Sequence, residues 1–165
     1  MVKETIYTEE EIREILDTIK DPEIPVVSIE EMGIIRSVQM DGDCCEVIIT
    51  PTYTACPAMH QIAQDIQFKL QEAGFSAVKV TTTYFPAWTT DMMREEVKEK
   101  LRTYGIAPPV HSSCMNWMQP TQVEVTCPRC GSTQTQLVSQ FGSTPCKSHY
   151  TCAACAEPFD YFKCH

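Results

Sequence analysis

The 165-residue chain is short of positive charge: 13 lysines and arginines face 22 aspartates and glutamates, a net charge of −9. Non-specific binding to nucleic acid draws its affinity from cations that neutralise phosphates, so the imbalance argues against that class of partner. The deficit is uneven. Residues 120–165 hold three basic and three acidic side chains, which leaves 10 basic against 19 acidic in residues 1–119. Long hydrophobic runs are absent too. Met1 to Tyr7 offers no apolar core for a signal peptide, and no later stretch approaches the length of a membrane span, so a soluble, cytoplasmic protein without membrane contact is expected. There is no internal repeat and no low-complexity tract. Histidine is scarce, with four in all, and His60, His111 and His149 stand singly, as surface or core residues do.

Cysteine, in contrast, is abundant, with ten in the chain. Cys127-Pro128-Arg129-Cys130 and Cys152-Ala153-Ala154-Cys155 form two CxxC knuckles with 21 residues between them. Two cysteines two residues apart bend around one tetrahedral ion, and two such turns on facing hairpins close a four-thiolate shell around zinc. Persistent disulfides are rare in an intracellular protein, which sets the competing pairing aside. Cys146 and Cys164 are alternates for a knuckle ligand, and thiolates alone do not separate zinc from an iron-sulfur cluster. Cys44, Cys45 and Cys114 read as structural.

The first hundred residues alternate two periodicities. Thr8 and Glu11 make a capping box before Ile12, Ile15, Leu16 and Ile19, and that helix should end at Asp21-Pro22. Ile34 to Met40, an Asp41-Gly42 turn and Cys45 to Ile49 read as a hairpin. A second helix starts at Cys56-Pro57, runs along Met59, Ile62, Ala63, Ile66 and Leu70, and closes at Gly74. Val78 to Thr82 alternates as a strand. A third helix opens near Thr90 and carries Met93, Val97, Leu101 and Tyr104 to Gly105. The order α-β-β-α-β-α defines a small α+β domain over residues 1–105. Residues 106–119, with Ala107-Pro108-Pro109, read as a linker, and residues 120–165 as a cysteine-rich zinc ribbon.

Three segments carry more chemistry than packing requires. Asp21-Pro22-Glu23-Ile24-Pro25 is either a rigid turn or an acidic functional loop. Thr50 to Ala58 puts Cys56 at a helix start, where unpaired N–H groups favour a thiolate, so Cys56 is either an activated thiol or a small buried cap. Phe85 to Met92 brings Thr89 and Thr90 to the entry of the third helix as caps or as polar groups of a site. With the two strands side by side, both helix starts are expected at the same end of the sheet.

DPEIPVVSI, GIIRSV, TPTYTACPAM and PAWTTDMM resemble the small iron-sulfur assembly domain of SufT-like proteins and of eukaryotic cytosolic iron-sulfur targeting factors. YGIAPP, CPRCGS, FGSTPCK and EPFDYFKC resemble the D-subunit family encoded with phenylacetyl-CoA epoxidase, the monooxygenase of aerobic phenylacetate degradation. Together the resemblances cover nearly the whole chain. They imply a maturation factor for iron or iron-sulfur centres, with the oxygenase and reductase components of that system as partners. They place Asp21 and Cys56 on the family's acidic turn and functional cysteine, and Thr89 and Thr90 on its helix-entry motif. Ala55 and Met92 depart from the usual glycine and tryptophan. The implied cofactors are structural zinc and a transient cluster or iron carried as cargo, with Cys56 as its ligand; homo-oligomerisation is left open.

The alternative is a thiol-dependent enzyme with Cys56 as nucleophile. Such a site needs a histidine base and a group to orient it. His60, at i+4 on the same helix, points away from the helix start.

Overall fold

The computed structural model describes residues 7–110 and 124–163; Cys114, His111, Cys164 and His165 lie outside them. The chain divides into two compact units, Met1–Trp88 and Thr89–His165.

In the first unit, helix α1 (Glu9–Asp17) begins with the expected capping box, the Thr8 side chain accepting from Glu11 N–H and the Glu11 carboxylate accepting from Thr8 N–H. Ile12 and Leu16 are fully buried. The helix ends before Asp21-Pro22, because Thr18 turns its hydroxyl back to the Ile15 carbonyl at 2.6 Å and Lys20 pairs with Ser28 in an isolated bridge. Strands β1 (Ile35–Asp41) and β2 (Cys44–Ile49) form an antiparallel hairpin. Its two-residue turn is Gly42-Asp43, one position later than the spacing predicts, because Gly42 supplies the positive φ of 62°.

Helix α2 (Ala58–Glu72) buries Ala58, Ile62, Ile66 and Leu70 along one stripe. It leads at Gly74 (φ 106°) into strand β3 (Ala77–Thr82), which runs parallel to β2 with Cys44 opposite Ala77 and Ile49 opposite Thr82. The sheet order is β1-β2-β3. The parallel pairing has a functional consequence: the loops that leave β2 and β3 emerge at the same end of the sheet. Trp88 closes the unit, buried, with its indole N–H donating to the Met32 carbonyl at 2.9 Å.

The second unit opens with a 3-10 turn, Thr90–Met92, with Thr89 at the N-cap position but no capping bond from its side chain. Helix α3 (Glu95–Tyr104) follows, later than the periodicity predicts, since Arg94 is extended and serves as its N-cap. Gly105 ends it in the left-handed region at φ 100°. Residues 106–107, expected within the linker, form strand β4 (Ile106–Ala107). It pairs in parallel with the last of the ribbon strands, β5 (Thr135–Ser139), β6 (Lys147–Cys152) and β7 (Pro158–Phe162), giving the order β4-β7-β6-β5. The ribbon has a small core of its own. Tyr150 stacks on Phe159 at 5.9 Å and meets Tyr161 edge-on at 5.8 Å, beside buried Ala107 and Val125.

Candidate functional site

The two knuckles are built alike. Gly131 N–H donates to the Cys127 carbonyl at 3.0 Å, and Ala156 N–H to the Cys152 carbonyl at 2.9 Å. Four residues after the first cysteine of each knuckle, Gly131 (φ 75°) and Ala156 (φ 61°) are left-handed. That reversal turns the next N–H inward, so Ser132 N–H reaches the Cys130 sulfur and Glu157 N–H the Cys155 sulfur. Facing each other, the knuckles bring the four sulfurs within 4.8 Å of one another. Cys127 and Cys155 are 3.8 Å apart, Cys130 and Cys152 3.6 Å. A tetrahedron of thiolates at the usual Zn–S distance has edges of about 3.8 Å, so the cage has the size that zinc requires.

Electrostatics agree with the geometry. The N–H groups of Cys155 and Ala154 pull the Cys152 thiol down to about 7. Cys155 is lowered by the Glu157 N–H, yet burial and the three adjacent thiols push it up to about 12. Four such groups cannot all ionise together without a cation among them. Cys146, buried and 3.0 Å from the Thr144 hydroxyl, stays outside the group of four. Cys164 lies outside the described residues.

The second site is assembled in the first unit. Asp21, 7% exposed, accepts from the N–H groups of Glu23 and Ile24 at 2.8 and 2.9 Å, which folds Asp21-Pro22-Glu23 into a tight acidic turn. The loop leaving β2 starts at Thr50, whose fully buried hydroxyl has no hydrogen-bond partner among the described residues. It then bends so that Cys56 N–H donates to the Tyr53 carbonyl at 3.1 Å. Cys56 precedes α2, with Pro57 as the N-cap residue. It is half-buried, with its sulfur beside the Ala58 N–H and the Tyr53 side chain, and within electrostatic reach of Glu23 and Asp21.

The charge state differs from the expected one. Placement at a helix start predicts a lowered thiol pKa, whereas the Cys56 pKa is raised. Burial is the largest cause, and Glu23 and Asp21 add to it against the opposing Ala58 N–H and Tyr53. Burial and the two carboxylates thus oppose the thiolate that the helix start alone would favour. Glu23 and Tyr53, which the sequence reading includes in the acidic turn and in the Thr50 to Ala58 segment without a role of their own, both act on the Cys56 sulfur. Thr89 and Thr90 open the second unit, Thr90 buried, and their relation to Cys56 remains an expectation of the sequence.

Fold and sites define a class of protein, an iron-sulfur assembly domain carrying a zinc ribbon. An "Iron-sulfur cluster assembly protein" family model matches residues 9–74, and a "PaaD zinc beta ribbon domain" model matches residues 114–163. Solved structures agree on the fold of the first part. A domain of unknown function, DUF59, from Bacillus anthracis is 25% identical, with a TM-score of 0.53, 56% of this chain and 90% of that one covered. A conserved hypothetical protein from Thermotoga maritima is 27% identical, with a TM-score of 0.51 over 61% of this chain and 98% of that one.

Among curated proteins, one from Escherichia coli (strain K12), provisionally named as the D subunit of 1,2-phenylacetyl-CoA epoxidase, is 47% identical over 93% of this chain and 92% of its own. A Porphyromonas gingivalis (strain ATCC BAA-308 / W83) protein named Fe-S protein maturation auxiliary factor is 39% identical over 61% of this chain and 97% of its own. The chain belongs to the PaaD family.

Proposed function

We propose that the chain matures the oxygenase and reductase components of a phenylacetyl-CoA epoxidase system by delivering iron or an iron-sulfur cluster through Cys56. The observation that carries this reading is the company Cys56 keeps. A phenol, a helix N–H and two carboxylates act on its sulfur, and none of these is a histidine. A thiol enzyme needs a base to take the proton. A soft sulfur is instead a ligand for a soft or borderline metal, and the negative field of Glu23 and Asp21 favours a cation beside it. A neutral thiol becomes a strong ligand only as a cation displaces its proton, so cargo is held weakly until a client with more thiolates takes it. The ribbon zinc is structural, and iron or cluster is the substrate. A cytoplasmic location fits this role.

The test is genetic and chemical. Deletion is expected to leave the epoxidase polypeptides present but short of iron or cluster, with growth on phenylacetate lost. Cys56→Ser should reproduce the deletion, because a hydroxyl is a far weaker ligand for soft metals than a thiolate. Fully loaded, active epoxidase components from the deletion strain would return the thiol-enzyme reading to first place.

A further inference from the structure

The loop that leaves β3 presents two aromatic side chains to solvent. Tyr84 is 59% exposed and Phe85 88% exposed, the highest value among the exposed large apolar side chains of the described residues. An aromatic ring in water forgoes the burial free energy that usually places it in a core, so a pair of them calls for an explanation. The loop is not a loose one. The Thr83 hydroxyl donates to the Phe85 carbonyl at 3.0 Å, and Thr83 N–H is tied to the Ile49 carbonyl at 2.8 Å. Arg36, from β1, donates through Nη2 to the Pro86 carbonyl at 2.5 Å, and Trp88 is pinned to Met32 two residues on. The backbone on both sides of Phe85 is thus fixed to the sheet while the ring itself is left outside.

Its position is set by the parallel register. Ile49 pairs with Thr82, so the chain runs into the Cys56 loop from β2 and into Tyr84-Phe85 from β3 at the same end of the sheet. This end also carries the acidic turn that acts on Cys56. Residues 1–88 hold fifteen acidic and six basic side chains, the whole of the −9, while residues 89–165 are balanced.

We propose that Tyr84 and Phe85 are a preformed docking anchor for the client, beside the thiol that carries the cargo. Deepening the maturation reading, on which it rests, this assigns the partner a chemistry: an apolar pocket that takes the Phe85 ring, bordered by lysine or arginine that meets the acidic turn. Rigid aromatic anchors near the centre of an interface carry most of its energy, and charge complementarity steers and orients the approach. An anchor and a thiol on loops that leave adjacent strands of one sheet would together set the distance from thiol to client site.

The test uses the full-length, zinc-loaded chain against the purified, iron-depleted oxygenase and reductase components. One of them is expected to bind, with Phe85→Ala or Tyr84→Ala weakening Kd at least tenfold while Cys56 alkylation is unchanged. Phe68→Ala is the control. Phe68 is as exposed as Tyr84, at 61%, but sits roughly 15 Å along α2 from the Cys56 end; its substitution should leave Kd within twofold. Raising salt from about 0.05 to 0.5 M, which shortens the screening length several-fold, should weaken binding of the native chain and of Phe85→Ala alike.

Phe85→p-benzoylphenylalanine should crosslink to the bound component upon irradiation. Native binding that Phe85→Ala and Tyr84→Ala leave unchanged would overturn the anchor and spare the maturation reading. A crosslink returning to residues 89–165 of the same chain, or to a second copy of it, would also overturn the anchor alone. Failure of the native chain to bind either component would overturn both.

Discussion

Cys56 shows how a single residue's role follows from competing local fields. The start of a helix lowers a thiol pKa through its free N–H groups, yet burial and the carboxylates of Glu23 and Asp21 outweigh them here. The sign has a measurable consequence. At pH 7, iodoacetamide is expected to label Cys56 more slowly than exposed Cys44, and the rate should rise only above the ordinary thiol range, near 8.5. Glu23→Gln removes one charge that opposes the thiolate, so the midpoint of the pH–rate profile should move down. Faster labelling of Cys56 than Cys44 at neutral pH would show that the helix end dominates after all. Folding follows the same sign: the folded thiol holds its proton longer than the unfolded one, so the share of stability that Cys56 controls is lost as pH rises above the unfolded thiol's value.

At the scale of elements, the two knuckles offer a matched comparison. They require the same left-handed residue, and one has glycine where the other has alanine. A side chain in that region costs about 1–2 kcal/mol. A Cβ on Gly131 would meet nothing within 4 Å, so the cost there is one of backbone conformation alone. Ala156→Gly is therefore expected to stabilise the ribbon by about 1 kcal/mol and Gly131→Ala to destabilise it by about as much, read from thermal unfolding of the zinc-loaded protein. Equal melting temperatures for the two variants would remove the argument. Elements held by local rules were the legible ones. The capping box of α1, the stripe of α2 and the Gly105 cap of α3 all depend on neighbours within one or two turns. The elements that escaped are set by distant partners. Ile106 and Ala107 become a strand only because Asp160 and Tyr161 lie alongside them. Arg94 splits the expected third helix into a 3-10 turn and α3, with Met93 and Thr90 both buried. The four-cysteine cage was visible in its spacing, since a knuckle is a local object. The surroundings of Cys56 were only half visible, because Glu23 approaches it from a distant part of the sequence.

For the molecule as a whole, the division of labour rests on how each unit is stabilised. The first unit has an apolar core in which Ile12, Leu16, Val47, Ile49, Ile66 and Leu70 are all fully buried. The ribbon's cluster counts two ligand cysteines, Cys127 and Cys152, among its seven members, so its burial and its metal site are the same structure. Zinc binding to such sites is worth on the order of 10 kcal/mol, comparable to the whole stability of an ordinary domain. Without the ion, four thiols would be left packed against one another with the N–H groups of both knuckles aimed at them. Chelation should therefore release one zinc per chain and abolish amide protection across residues 124–163, while β1, β2, α2 and β3 keep theirs. Because the ligands must lose protons to bind, lowering the pH should favour the same loss of zinc and of ribbon protection, and returning zinc at neutral pH should restore both. Hydrogen exchange followed by mass spectrometry, with elemental analysis of the same samples, decides the matter: ribbon protection that survives complete removal of the metal would mean that Tyr150, Phe159 and Tyr161 hold the strands without it.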